Sequence, residues 1–194
     1  MSFLPELFLF VFAGLFSPGP NVILLTASGA RFGFARTVPH VLGVAFGVGI
    51  TAGVTGLGLG ALILAFPALT LALRIVAAIW ILWLAWKLFR STRAKRQEAG
   101  DRPFTFLEAV LFQWVNPKVW AVAFAASAYV ADQGPVAAGL SLAAAFASIN
   151  LFVCLFWTSA GHLLGRLLGQ ERLWRAFMTG MAALMAGSAA LIFV

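Results

Sequence analysis

Long apolar runs constrain this chain more than any other feature of its sequence. Each run is longer than about 20 residues, the length that a helix needs to cross a bilayer core of about 30 Å. Because the runs are continuously apolar and do not alternate, they favour helices over the strands of a barrel. We therefore predict an all-α membrane protein with six transmembrane helices, at 3–29, 40–66, 68–89, 104–131, 136–160 and 173–194.

The overall composition agrees with a lipid environment. Of the 194 residues, 62% are hydrophobic and only 10% are charged, whereas a soluble domain keeps roughly a quarter of its residues charged. We expect a single polytopic membrane domain over 1–194, with the lipid bilayer as its surroundings. Its half-repeats would cover about 1–90 and 104–194, joined by a basic loop at 90–103. No cofactor is expected and no metal site, because no zinc-type spacing or nucleotide-binding loop occurs.

The basic residues lie almost entirely on one side of the predicted spans. Of the 13 basic residues, Arg74 and Lys118 lie within predicted spans. The other 11 fall at alternate gaps between the apolar runs, namely at Arg31, Arg36, Lys87, Arg90, Arg93, Lys95, Arg96, Arg102, Arg166, Arg172 and Arg175. Basic loops face the cytoplasm, so the loop at 90–103 is predicted to be cytoplasmic and both termini extracytoplasmic. Because the charges form no basic groove with interleaved aromatics, the net charge of +7 does not indicate a nucleic-acid partner.

Two of the predicted spans carry helix-breaking residues near their centres. In 3–29 the break is Pro18-Gly19-Pro20-Asn21, and in 104–131 it is Asn116-Pro117-Lys118. These two spans are the first of each half of the chain, and a unit of three spans must invert when it is repeated. Interrupted segments at corresponding positions of two halves point to the midplane binding site of a transporter. We therefore predict a 3+3 inverted repeat with broken helices 1 and 4.

The breaks are expected to expose polar backbone groups. Because proline has no N–H, the carbonyls of Gly14, Phe16 and Gln113 would lose their helical partners. Each second half-helix would begin with free N–H groups and a positive dipole end. Such donors suit a carboxylate and the freed carbonyls suit an ammonium group, so we expect a small zwitterion as substrate. The predicted substrate-binding residues are Pro18, Gly19, Pro20, Asn21, Asn116, Pro117 and Lys118.

Single residues at the breaks have distinct expected roles. Gly19 is expected to provide unusual backbone angles and close approach, and Asn21 to offer an amide or to cap the new helix. A lysine at bilayer-centre depth is a functional hypothesis by default, and Lys118 would add a full positive charge to the site. The alternative for Lys118 is that its side chain snorkels to the cytoplasmic face.

Few carboxylates are placed where they could move protons through the membrane. Glu108 and Glu6 lie near the ends of the two broken spans. Intramembrane carboxylates often relay protons in transporters, so Glu108 and then Glu6 are the candidates for proton coupling.

Several short motifs together resemble the lysine-exporter (LysE/RhtB-type) superfamily of bacterial amino-acid exporters. They are PGPN in the first span, GARFGF after it, WLAWK at the end of the third span and NPK in the fourth. WLAWK and AGHLLGRLLGQ, at 160–170, are similar in particular to the cysteine/O-acetylserine exporter branch. The resemblance implies a secondary-active exporter in the bacterial cytoplasmic membrane. It would carry amino acids or their derivatives out of the cell against protons, as an antiporter and not as an enzyme.

Other functions stay open at the level of the sequence. A cation or metal exporter, or an exporter of a different small solute, belongs to the same superfamily, but a metal carrier would need carboxylates or thiolates at the breaks. A channel and an intramembrane enzyme are further alternatives, although no filter sequence and no acid–base pair at midplane depth is apparent. The chain is also compatible with a homodimer.

Overall fold

The structure, a computed structural model, describes residues 4–59, 65–90 and 102–190. In these residues the chain is helical and contains no strand. The helices are α1 (Leu4–Phe16), α2 (Pro20–Phe32), α3 (Phe34–Gly56), α4 (Pro67–Arg90), α5 (Phe106–Trp114), α6 (Pro117–Ser127), α7 (Pro135–Leu167) and α8 (Glu171–Ala190), with a 3-10 turn at Ala128–Val130.

The helices that are long and apolar enough to cross a membrane are fewer than the six predicted spans. Three qualify within the described residues, at Phe34–Gly56, Thr70–Arg90 and Pro135–Leu167, and the pair α1 and α2, bent by 60°, can count as a fourth. The predicted span at 104–131 is divided into α5 and α6, of nine and 11 residues, each too short to cross alone. The fold is therefore all-α with three to four candidate spans, and the six-span inverted repeat stays a prediction.

Helix α7 is the centre of the packing, with α2 and α3 against it. Glycines allow these backbones to approach closely. A Cβ built on Gly29 would lie 2.3 Å from the carbonyl oxygen of Thr158, and one on Gly161 would lie 2.1 Å from that of Thr26. Packing of small residues replaces the hydrophobic effect where helices associate in lipid.

Helix α3 uses its glycines on two faces. Gly43 and Gly47 face α5, where Cβ atoms would lie 2.3 Å from the carbonyl oxygen of Phe106 and 2.8 Å from Cγ of Gln113. Gly49 faces α7, with 2.9 Å to Cβ of Ala147. The glycines of α3 thus hold α5, and with it the second break, against the body of the protein.

The basic gaps between the apolar runs meet at one end of the molecule. Arg31, Lys87 and Arg102 line the same cavity, and a Cβ on Gly33 would lie 3.6 Å from the ring of His162 at the end of α7. Most of the predicted basic loop lies at 91–101, outside the described residues. The arrangement agrees with a single basic face, on which the predicted orientation depends.

The contact between α2 and α7 predicts a sharp difference between two Gly→Ala variants. Gly161→Ala should lower the free energy of unfolding by about 1–3 kcal/mol, because its methyl group would overlap the backbone of Thr26. Gly180→Ala on α8 has no atom within 4 Å of the added methyl, so helix propensity should leave that protein equally stable or more stable by up to about 1 kcal/mol. Thermal unfolding in detergent measures both, and equal melting temperatures would contradict the packing.

Candidate functional site: two helix breaks in contact

The first break lies between α1 and α2. Helix α1 ends at Phe16, and α2 begins at Pro20, where the missing N–H of proline removes no helical hydrogen bond. The Oγ of Ser17 donates to the carbonyl of Gly14 at 2.9 Å, so this carbonyl is not free. The first intrahelical bond of α2 runs from the N–H of Ile23 to the carbonyl of Gly19 at 3.0 Å. The N–H groups of Asn21 and Val22 precede that bond and belong to the first turn, which has no helical acceptors.

The second break lies between α5 and α6. Helix α5 ends at Trp114, Val115 and Asn116 leave the helix, and α6 begins at Pro117. The carbonyl of Gln113 accepts a hydrogen bond from the N–H of Asn116 at 3.2 Å. The carbonyls of Gly14 and Gln113 thus lack an i+4 helical donor, as expected from Pro18 and Pro117. They are not left free, however, since a hydroxyl and a tightened last turn supply other donors.

Lys118 joins the two breaks. Its ammonium group donates to the carbonyl of Ser17, to the Oγ of Ser17 at 2.9 Å and to the carbonyl of Pro18 at 3.4 Å. The side chain is partly buried, and its charge reaches across to the other broken segment. Carbonyl oxygens at the first break thus serve as acceptors, as expected, but they belong to Ser17 and Pro18, and in this structure Lys118 occupies them.

Gly19 provides the space for this contact. A Cβ at this position would lie 2.7 Å from Cδ and 3.0 Å from Nζ of Lys118. The backbone of Gly19 is extended, with φ −175°, which any residue adopts. The expectation of special backbone angles at Gly19 is wrong, whereas the expected close approach is present. The group that approaches is the lysine stem.

A cluster of side-chain amides forms a second link between the breaks. The Nδ2 of Asn21 donates to Oε1 of Gln113 at 2.8 Å, and Nε2 of Gln113 donates back to Oδ1 of Asn21 at 3.2 Å. Gln113 also donates to the carbonyl of Ala109 at 2.8 Å and receives Nδ2 of Asn116 at 3.4 Å. Asn21 therefore binds the second break and does not cap α2.

Gln113 is the residue that sequence reasoning missed. It is fully buried, and it contacts both broken segments. The signal was present, since a glutamine within an apolar run, three residues before Asn116, needs a polar partner when it is buried.

The site retains polar atoms that could hold a ligand. Asn116 is 1% exposed, and its Oδ1 accepts no hydrogen bond from the described residues. A buried acceptor without a donor costs about 1–3 kcal/mol, which a bound donor would recover. The N-termini of α2 and α6 add positive dipole ends next to the ammonium group of Lys118. Donors for an anion and an acceptor for a cation therefore lie at the same pair of breaks.

The two carboxylates predicted for proton coupling lie apart from this cluster in their contacts. Glu108 completes a capping box with Thr105 in the first turn of α5, and its oxygens accept two hydrogen bonds from Arg102, at 2.6 and 2.7 Å. Glu6 lies in the first turn of α1 and is exposed. In the part of the chain that the structure describes, no group of three His, Cys, Asp or Glu side chains is placed to hold a metal ion.

Most of the chain is similar to known transport proteins. The family model described as LysE type translocator matches residues 12–194. The cysteine/O-acetylserine efflux proteins of Escherichia coli strain K12, of Escherichia coli O157:H7 and of Escherichia coli strain CFT073 are each 30% identical to it over 160 residues. That alignment covers 79% of this chain and 80% of each relative. No solved structure gives a significant match.

The amide pair predicts measurable coupling between the two breaks. In a double-mutant cycle of Asn21→Ala and Gln113→Ala, the interaction energy should be about 0.5–3 kcal/mol, because each single variant already removes both hydrogen bonds of the pair. Ser141→Ala serves as the control, since Ser141 bonds to Gln133 at 3.0 Å and should be additive with Asn21→Ala. Thermal unfolding of the folded membrane protein measures each corner, and additivity of Asn21→Ala with Gln113→Ala would disprove the contact.

Proposed function

This chain belongs to the family of LysE type translocators, and from that membership we propose that it is a secondary-active exporter of amino acids or amino-acid derivatives. Family membership and the candidate spans make it a helical, multi-pass transport protein of the bacterial inner membrane, not an enzyme. The substrate and the energy source are the parts that we propose.

The proposed substrate is a small neutral amino acid or derivative. Curated relatives at 30% identity are named for efflux of cysteine and O-acetylserine, and both compounds carry a carboxylate and an ammonium group. The helix N-termini and Lys118 offer donors for the carboxylate, and Oδ1 of Asn116 offers an acceptor for the ammonium group. A zwitterion therefore matches the polar groups at the breaks better than a simple cation or anion does.

The observation that carries the proposal is the contact between the two breaks. Lys118 reaches from α6 to Ser17 and Pro18, and Gln113 pairs with Asn21. The proposed binding residues are Pro18, Gly19, Pro20, Asn21, Asn116, Pro117 and Lys118, with Gln113 as a positioning residue that holds the two segments together.

This contact also suggests how binding could be coupled to movement. A substrate carboxylate that binds Lys118 competes with the oxygens of Ser17 and Pro18 for the same ammonium group. Loss of those hydrogen bonds weakens the contact between the first broken helix, α1–α2, and the second, α5–α6. Ligands shift a conformational equilibrium only through such differential contacts. We propose that the exchange of partners at Lys118 allows the two broken helices to move apart.

We propose the topology of the sequence analysis for this exporter, with six spans in an inverted repeat and both termini extracytoplasmic. The meeting of Arg31, Lys87 and Arg102 at one cavity supports a single basic, cytoplasmic face. Export would be driven by proton antiport, and the proposed assembly is a homodimer.

The alternatives make different predictions in everted vesicles. An amino-acid carrier should give saturable accumulation of labelled O-acetylserine that depends on the proton gradient. A channel should conduct without a gradient, and an exporter of cations, metal ions or another small solute should be indifferent to the amino acid.

Lys118→Met tests the proposed site directly. Removal of the ammonium group should reduce gradient-driven uptake of O-acetylserine into everted vesicles by about 30-fold or more, because a charge-paired contact to the substrate is lost. Arg74→Met is the matched control, since Arg74 is the other basic residue inside a predicted span and is exposed on α4. Both proteins should be folded and present in the membrane. Wild-type transport by Lys118→Met would remove this residue from the site.

The variant Glu108→Gln tests whether Glu108 carries protons or only caps α5. Glutamine still serves in a capping box, and loss of an exposed ion pair costs no more than about 1 kcal/mol. From the contacts with Arg102 and Thr105, we expect a folded protein whose transport keeps its dependence on pH. If the pH dependence disappeared in Glu108→Gln but not in Glu6→Gln, Glu108 would be the proton carrier.

A further inference from the structure

A cavity of about 80 Å³ lies at the basic end of the molecule, away from the two breaks. It is lined by residues of α2, α3, α4 and the segment that precedes α5. Its polar lining consists of Ser28, Arg31, His40, Lys87 and Arg102, and its apolar walls of Leu24, Ala27, Phe32, Leu84, Leu88, Pro103 and Phe104. A volume of this size exceeds the space of a single water molecule several times, so it can receive the head of a small organic ion.

The charges of the cavity favour an anion. Arg31, Lys87 and Arg102 all line it, whereas none of its described lining residues is acidic. Glu108 balances Arg102 through two hydrogen bonds. Lys87 has its ammonium group 5.4 Å from the centre of the Trp83 ring, a contact that leaves its positive charge uncompensated by any carboxylate in the described residues. Cations with low-dielectric walls concentrate small anions.

His40 is the second observation that points to a ligand. Its side chain is 2% exposed, yet neither ring nitrogen has a hydrogen-bond partner in the described part of the chain. The ring packs against Phe104, with 5.1 Å between ring centres. Buried polar groups in proteins are nearly always paired. An imidazole without a partner on the wall of a basic cavity is therefore a donor that a bound carboxylate can use.

Residues of the cavity and of the breaks lie along one face of α2. Asn21, Leu24, Ser28 and Arg31 are spaced by three or four residues, so they follow each other along one side of the helix. At 1.5 Å per residue, Ser28 lies about 10 Å along the axis from Asn21. Asn21 belongs to the amide cluster at the breaks, and Leu24, Ser28 and Arg31 line the cavity.

From this placement we infer that the cavity is a cytoplasmic access site that binds the carboxylate group of an amino-acid substrate before it reaches the helix breaks. The inference rests on the proposed export function for its substrate class and direction. Lys87 and His40 supply the contacts to the carboxylate. Ser28, whose hydroxyl is paired with that of Thr37 at 3.1 Å, lines the same cavity. The apolar walls accept a short side chain. The proposed occupant is a soluble carboxylate, and the test below distinguishes it from the head group of an anionic lipid.

The test measures binding without transport. Ser28→Cys in a Cys154→Ala background places a thiol in the cavity wall, and its rate of alkylation is followed in protein reconstituted in phosphatidylcholine nanodiscs. O-acetylserine should slow the reaction in a saturable manner, and the corresponding ester amine without the carboxylate, O-acetylethanolamine, should not. Adding Lys87→Gln should weaken the protection about tenfold, the usual effect of losing a hydrogen bond to a charged group. Arg90→Gln, three residues further along α4 and outside the cavity lining, should leave it unchanged.

The outcomes separate this inference from the proposed function. Protection that needs the carboxylate and Lys87 supports the access site, even if vesicles show no export, in which case the proposed function fails alone. Export with no protection at position 28, or protection that Lys87→Gln and His40→Leu both leave intact, overturns the access site alone. Protection by phosphatidylglycerol in the nanodisc, with no further effect of O-acetylserine, would also overturn it, because the anion would then be a lipid head group.

Discussion

The need to satisfy backbone polar groups away from water is the constraint on which this structure depends. An unbroken helix meets it internally, and every interruption must find other partners in protein or beside a polar cavity. Here, hydrogen bonds across the two breaks supply part of the solution, since Lys118 covers the oxygens of Ser17 and Pro18 while Asn21 and Gln113 satisfy each other. Each break thus supplies partners for the other, which explains why two interruptions in one small protein are stable together.

The glycines serve this arrangement by letting backbones come close. Gly43 and Gly47 bring α5 against α3, so that Gln113 is buried at the height where it can meet Asn21. Gly29 and Gly161 hold α2 against α7, which fixes the other partner. Gly19 removes the side chain that would displace Lys118. The polar contacts therefore depend on the packing, because the hydrogen bonds between the breaks require the short distances between helices that the glycines allow.

The proposed transport path follows from the same geometry. A basic cavity at one end and an amide cluster at the breaks share one face of α2, so a carboxylate could pass from Lys87 and His40 towards Lys118 along that helix. The basic cavity and Lys118 at the breaks both provide positive charge, and Asn116 offers a buried acceptor. These groups match a zwitterion, the class to which cysteine and O-acetylserine belong. The ion pair between Arg102 and Glu108 lies beside this path and anchors the start of α5.

The sequence by itself determined the helical membrane class, the family and the positions of both breaks. These are local properties, because run length decides what can cross a bilayer and proline removes a donor wherever it stands. It also indicated Lys118 and Asn21 as polar groups at the breaks. It failed on the backbone angles of Gly19, on the donors that the carbonyls of Gly14 and Gln113 find, and on Gln113 as the link. Those depend on partners far apart in the chain, such as Lys118 and Ser17 at a separation of 101 residues, or Gln113 and Asn21 at 92. Only tertiary packing decides which distant side chain fills an acceptor, and only that packing gathered Arg31, His40 and Lys87 around one cavity.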